Sequence, residues 1–222
     1  MLAERSLLRL APVLAFALVS AVPSRADVSY ASYASWASAV TGGITSVTIP
    51  DPSPNADIFF GNGNASVTYS GVTFSTQAAL SNGNFFNVGS LFSGDPAVLS
   101  SQQQTVGVAN ILITLPVAVT AFALNYGYGT FFGSNVTFAL SDGSTITQGS
   151  TGSGYSVPDF FGVTSNTPFN SVLVTSSDFV LNLNNVVYGT ASTAVPEPSA
   201  IILLVMMLGT VGLTFRLSRK RI

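Results

Sequence analysis

The 222-residue sequence contains no cysteine and no histidine. The absence of cysteine excludes disulfide bonds, a thiolate nucleophile and cysteine-ligated zinc. The absence of histidine removes the usual general base and the commonest ligand of transition metals. A serine nucleophile would need a base, and the central region also lacks lysine. The sequence therefore predicts no catalytic residues.

Basic residues are confined to the two ends of the chain. Between Asp27 and Val195 there is no Lys, Arg or His, and the seven acidic residues give this stretch a net charge of −7. Such a surface repels phosphate groups and has no side-chain cation to pair with them. The composition excludes nucleic acid as a partner of the central region.

Residues 1–26 have the organisation of a signal peptide. A short basic segment precedes the apolar run Leu10–Val22, which is too short to span a bilayer comfortably, and small residues follow it. The pattern predicts export by the Sec machinery and cleavage by signal peptidase between Ala26 and Asp27. Cleavage after Ala21 and an uncleaved membrane anchor are the alternatives.

The last segment, 191–222, has three parts in a fixed order. A linker and a proline-containing motif occupy 191–198, an apolar stretch occupies 199–217, and a basic tail occupies 216–222. As a helix the 19 apolar-rich residues would extend about 28 Å, close to the thickness of the hydrocarbon core. The sequence predicts a transmembrane helix, with the tail on the cytoplasmic side because of its positive charge. The motif residues are Val195, Pro196, Glu197 and Pro198, and the tail cations are Arg216, Arg219, Lys220 and Arg221.

The motif, the apolar span and the basic tail together resemble the PEP-CTERM sorting signal. The resemblance implies recognition of Pro196, Glu197 and Pro198 by exosortase, a membrane-embedded enzyme, and later removal of the helix and tail. The protein would then be a transient single-pass intermediate in the inner membrane, destined for the cell surface or extracellular matrix. It also implies a Gram-negative bacterium that makes extracellular polysaccharide. The alternative is a plain membrane anchor in which the motif is only a stalk.

The central region, 27–190, alternates apolar and polar residues between turn-forming residues, which predicts β-strands. Asp142-Gly143 predicts a hairpin, because Asp-Gly suits a two-residue turn with positive φ. Many short strands at this spacing predict a mainly β exported domain, an antiparallel β-sandwich or jelly roll. The predicted strands are 44–49, 66–69, 72–75, 111–115, 122–126, 136–140, 144–147, 160–163, 172–175, 179–183 and 186–188. Short stretches such as Ser70–Phe74 and Asn185–Gly189 resemble ectodomains attached to PEP-CTERM signals, which supports a sandwich and implies no active site.

A three-residue repeat at the start of the domain places aromatic residues at Tyr30, Tyr33 and Trp36. Trp36 and Val40 are four residues apart, so a short N-terminal helix would place both on one face, and Gly42-Gly43 would end it. The helix either packs this stripe on the sandwich, which we favour, or presents an aromatic platform to a ligand.

Calcium is the metal that the sequence best accommodates, because it prefers carboxylate and carbonyl oxygens on loops. Asp51, Asn55 and Asp57 are the candidate ligands, and further loop carboxylates are Asp142, Asp159 and Asp178. The alternative, which we favour, is that these residues cap turns and that no cofactor is bound.

Two functions remain for the exported domain. The first is a non-catalytic surface or matrix protein associated with extracellular polysaccharide. The second is a carbohydrate-binding module, with or without calcium, for which the aromatics Tyr126, Tyr128, Phe131 and Phe132 are candidates if they are exposed rather than packed in the core. A glycoside hydrolase would need two facing carboxylates, and nothing in the sequence singles out such a pair.

Overall fold

The computed structural model describes residues 27–50, 58–60, 65–77, 84–89, 96–102, 109–127, 134–151, 157–177 and 180–191. These residues form twelve antiparallel strands and one short helix, so the predicted mainly β domain with an N-terminal helix is confirmed. The elements are β1 (Val28–Tyr30), α1 (Tyr33–Ala39), β2 (Thr45–Ser46), β3 (Ile58–Phe60), β4 (Ser66–Tyr69), β5 (Val72–Ser75), β6 (Asn84–Gly89), β7 (Ala97–Gln102), β8 (Asn110–Gly127), β9 (Ser134–Leu140), β10 (Thr145–Ser150), β11 (Asp159–Ser176) and β12 (Val180–Gly189).

The long strands β8 and β11 organise the sheet. They pair along both of their halves, with register shifts between Thr164 and Ser171 of β11. The first half of β8 also pairs with β5, and its second half pairs with β12. In β11, the first half pairs with β1 and the second with β9. The two long strands therefore take part in both halves of one continuous antiparallel sheet. The sheet curls along them, because strands that bend can pass from one layer to another.

The core lies between the two halves of this curled sheet. The ring of Phe138 on β9 stacks on Phe161 of β11, with centroids 3.7 Å apart. Tyr126 of β8 packs against Phe138 at 5.2 Å, nearly at right angles. Phe138 belongs to one half of the sheet, and Tyr126 and Phe161 belong to the other half. Their contacts therefore join the inner faces of the two halves.

Prolines mark the bend of both long strands. Pro116 of β8 and Pro168 of β11 are exposed, and neither takes part in the cross-strand pairing. Proline has no N–H to donate, so at an unpaired bend it removes no hydrogen bond between strands. The sequence predicted separate strands on either side of Pro116, and that was wrong.

Other strands were also divided too finely. The predicted segments 160–163 and 172–175 are parts of β11, and 179–183 and 186–188 fall in β12 apart from residue 179, which lies outside the described residues. Residues 44–49 pair as a strand only over Thr45–Ser46. The hairpin at Asp142-Gly143 is confirmed, and Gly143 has a φ of +97°. The predicted two-residue turn was wrong, because the N–H of Leu140 donates to the carbonyl of Ser144 across a three-residue loop.

Helix α1 is capped by the side chain of Ser32, which accepts a hydrogen bond from the backbone N–H of Ser35. It ends at Ala39, before Gly42-Gly43, because Val40 adopts extended backbone and forms an isolated bridge with Ala191. The predicted helix is confirmed, but its predicted end was wrong.

No helix long and apolar enough to cross a membrane occurs among the described residues. The signal peptide, the sorting motif Val195–Pro198, the transmembrane helix 199–217 and the basic tail all fall outside those residues. Their structures therefore stay predictions.

Candidate functional site

Small residues on the outer face of the sheet form a seat for helix α1. Trp36 is fully buried there against Ala121 and Ala123 of β8, and its Nε1 donates a hydrogen bond of 3.1 Å to the carbonyl of Val163. A Cβ on Gly162 would lie 2.9 Å from Trp36 Cδ1. The seat thus exists because glycine and alanine stand where the indole packs. The packing interpretation of the aromatic helix is confirmed for Trp36.

Tyr33 lies at the edge of this seat and is 52% exposed. Its ring centroid is 5.9 Å from that of Trp36 and 6.3 Å from that of Phe160, which it meets edge to face. Two fixed neighbours therefore hold an exposed aromatic ring in position.

Amide side chains continue the outer face beside Phe160. Asn125 on β8 is paired with Phe160 on one side and with Asn184 of β12 on the other. A register shift follows Asn184, and Asn185 takes a left-handed φ of +51°. This β-bulge leaves Asn185 exposed, and its Nδ2 donates to Asn125 Oδ1 at 3.4 Å. Asn125 in turn donates through its Nδ2 to the carbonyl of Asp159 at 3.3 Å.

A groove opens next to the bulge because two short strands share the position beside β12. Strand β7 pairs with Val180–Leu183 and β2 pairs with Val187–Tyr188, and neither pairing includes Asn184 or Asn185. The groove has a volume of about 320 Å³. Its lining residues are Val47, Thr48, Ile49, Pro96, Asn184 and Asn185.

We call Tyr33, Phe160, Asn125, Asn185 and the adjoining groove the outer strip. It offers one exposed aromatic ring, two amides with both donors and acceptors, and a shallow space of mixed polarity. Pockets that bind organic ligands combine apolar surface with a few placed polar groups in this way. The strip contains no cation, because the stretch from Asp27 to Val195 has none.

Of the aromatics predicted to contact sugars, Tyr126 is buried in the core and is only 2% exposed. Its hydroxyl donates to the carbonyl of Gly149 at 2.9 Å and lies 3.2 Å from Gln148 Oε1. Burial, together with the negative charge of Asp159, raises the pKa of Tyr126 to about 12. Tyr126 therefore packs in the core, whereas Tyr128, Phe131 and Phe132 lie outside the described residues.

Two of the three carboxylates that the structure describes, Asp142 and Asp159, hold turns and strand ends in place by hydrogen bonds. Asp142 accepts hydrogen bonds from Ser144 N and Oγ in its own turn and from Ser165 Oγ at the bend of β11. Asp159 accepts hydrogen bonds from Ser150 and Thr151. No group of three Asp, Glu, His or Cys side chains suited to a metal occurs within the described part of the chain. The calcium candidates Asp51, Asn55 and Asp57, as well as Asp178, lie outside it.

Most of the outer strip could not be predicted from the sequence. Asn125 and Phe160 come together only through the register of β8 and β11, which no local pattern encodes. The adjacent pair Asn184-Asn185 was the available signal, because asparagine tolerates positive φ and suits a bulge inside a strand.

Comparison with known proteins identifies the C-terminal segment. Residues 194–220 match the profile described as the PEP-CTERM protein-sorting motif. The chain therefore carries this motif, and the resemblance given by the motif, span and basic tail is confirmed. No curated protein sequence matched the chain.

Among solved structures, family 29 carbohydrate-binding modules are similar to the chain. A point mutant of CBM29-2 is 10% identical with a TM-score of 0.34, covering 69% of this chain and 98% of that one. Another CBM29-2 mutant, complexed with mannohexaose, is 12% identical with a TM-score of 0.29, covering 71% and 99%. CBM29-1 from Piromyces equi is 8% identical with a TM-score of 0.27, covering 63% and 96%. At these scores and identities the likeness carries no argument about fold or function.

Proposed function

We propose that this chain is an exported, exosortase-processed protein of the cell surface or extracellular matrix. Its β domain, a sandwich formed by the curled sheet, acts without catalysis and associates with extracellular polysaccharide. The observation that carries the proposal is the PEP-CTERM motif at residues 194–220. The Sec machinery and signal peptidase would first export the chain and release Asp27 as the new N-terminus.

Glu197 is the residue of the motif on which recognition depends most in this proposal. It is the only charged residue between Asp178 and Arg216, and two prolines flank it. A carboxylate just outside the membrane pairs strongly with a cation on the processing enzyme, because the local dielectric is low. The prolines hold the backbone extended, so little entropy is lost on binding.

The test is Glu197→Gln in a host that contains exosortase, because this change keeps the shape and removes the charge. Asp178→Asn is the matched control, since it removes a carboxylate outside the motif. We expect Glu197→Gln to stay in the membrane with its tail attached, while the parent and the control are shortened. Equal processing of Glu197→Gln and the parent contradicts recognition of the charge and favours a plain membrane anchor.

The second candidate function is that of a carbohydrate-binding module. The outer strip supports it, because an exposed aromatic ring, two amides and a groove lie next to one another. Calcium would enter through Asp51, Asn55 and Asp57. Binding of the full chain to immobilised glycans, with and without a calcium chelator, tests both parts of this proposal.

A further inference from the structure

We infer that the outer strip binds an uncharged hexose chain that lies across the strands of the sheet. This inference deepens the proposed function and rests on the association with polysaccharide.

The aromatic end of the strip provides the apolar contact. A sugar ring has one face of C–H groups, which packs on an aromatic ring and leaves the hydroxyls at its rim. Tyr33 is 52% exposed, and its contacts with Trp36 and Phe160 fix its ring before any ligand arrives. A preorganised aromatic side chain loses little conformational entropy on binding.

The amides provide polar contacts that match hydroxyl groups. Each asparagine amide has two N–H donors and one acceptor oxygen. It can therefore pair with a sugar hydroxyl, which both donates and accepts. The bond from Asn185 to Asn125 Oδ1 uses one of the two donors of Asn185. The left-handed backbone of the bulge places the Asn185 side chain on the exposed surface.

The pairing register sets the direction of the ligand. Phe160, Asn125 and Asn184 follow one another across three neighbouring strands. Strands are about 4.8 Å apart, so this row extends about 10 Å. The groove begins at the β12 end of the row, because Asn184 and Asn185 line it. A short run of sugar rings laid across the strands would therefore contact the aromatic ring, the amides and the groove in turn.

Charge determines the class of sugar. With no Lys, Arg or His from Asp27 to Val195 and a net charge of −7, the domain has no side chain to pair with a carboxylate, sulfate or phosphate on a glycan. An anionic polymer would be repelled, whereas a neutral hexose chain needs only the contacts that the strip offers.

The test uses the full chain, purified in a mild detergent, on an array of neutral glucans, mannans and galactans beside alginate and pectate, which carry carboxylates. Tyr33→Ala removes the exposed ring and keeps a good helix former. Asn185→Gly removes the amide and keeps a residue that accepts the positive φ. Val117→Ala is the control, because it removes a 58%-exposed apolar side chain at the bend of β8, eight residues from Asn125. The emission of Trp36 reports whether each variant keeps its helix docked.

We expect the parent to bind at least one neutral glycan and neither anionic polymer. Tyr33→Ala should weaken binding about tenfold and Asn185→Gly about fivefold, with Val117→Ala unchanged. If the neutral glycan binds both folded variants as tightly as the parent, the strip is not the site, although the association with polysaccharide stands. Binding of alginate or pectate alone overturns the neutral class. Failure to bind any glycan overturns the inference and the proposed association together.

Discussion

The close packing of helix α1 on its seat predicts how much Gly162→Ala lowers the free energy of unfolding. The new Cβ would lie 2.9 Å from Trp36 Cδ1, 3.0 Å from Trp36 Cβ and 2.9 Å from Phe160 Cε1. Carbon atoms pack best about 3.5–4.0 Å apart, so the helix must move outward. Overpacking of this kind costs about 1–3 kcal/mol, and the lower flexibility of alanine in the unfolded chain offsets about 0.4–1 kcal/mol of it. We expect the free energy of unfolding to fall by about 1–2 kcal/mol.

Urea denaturation of the full chain in detergent measures this change. Trp36 is the only tryptophan of the chain, so its fluorescence follows the seat itself, while far-UV circular dichroism follows the sheet. A loss of 1–2 kcal/mol lowers the urea midpoint by roughly 0.5–1 M for a typical dependence on denaturant. Gly149→Ala is the matched control, because nothing lies within 4 Å of its added Cβ on β10. If Gly162→Ala has the midpoint and Trp36 emission of the parent, the small residues do not form the seat.

Three further predictions concern the fold. Tyr126→Phe should lower stability by about 1 kcal/mol at neutral pH, because the hydrogen bond to Gly149 is lost. The pKa of Tyr126 is raised from 10.0 to about 12 in the folded protein, so the native state keeps this proton longer than the unfolded state and stability should fall between these pH values. A urea series from pH 9 to pH 12 should show a smaller alkaline loss in Tyr126→Phe, and equal losses would contradict this cause. Asn87→Leu should raise the free energy of unfolding by about 1 kcal/mol, because it removes a buried polar group that lacks a partner. Asn87 is 1% exposed, and its Nδ2 has no hydrogen-bond partner among the described residues. A lower urea midpoint would contradict this. Residues 27–195 should fold alone as a β-rich monomer, which circular dichroism and size-exclusion chromatography test, and a spectrum dominated by helix would refute it.

Features that depend on neighbouring residues were predicted from the sequence, whereas features that depend on pairing between distant strands were not. Strands β4 and β5 were predicted at their observed bounds, because alternation and the turn at Gly71 are local. The continuity of β8 through Pro116 was not predictable, since it depends on pairing with β11, about 50 residues away. The outer strip depends on the same distant register.

The candidate site shows a second reason why prediction failed. Tyr126 and Tyr33 are both aromatic residues beside small or flexible neighbours, and their composition does not distinguish them. Side chains alternate between the two faces of β8, so Tyr126 points into the core on the same face as Leu124. Tyr33 lies on the outer face of the helix and is exposed. Only the paired sheet fixes which face each strand presents. The sorting motif, by contrast, is contiguous in sequence and was found from the sequence alone.

The central claim is that the chain is exported, cut at both ends and released from its membrane tail. The most direct measurement is mass spectrometry of the surface or matrix form from an exosortase-positive strain and from the same strain without exosortase. The account predicts that the form from the positive strain begins at Asp27 and ends before Arg216. In the strain without exosortase, the chain should remain in the membrane and retain Arg216–Ile222. A surface form that keeps Arg216–Ile222 in the positive strain, or the same mass in both strains, would contradict the account.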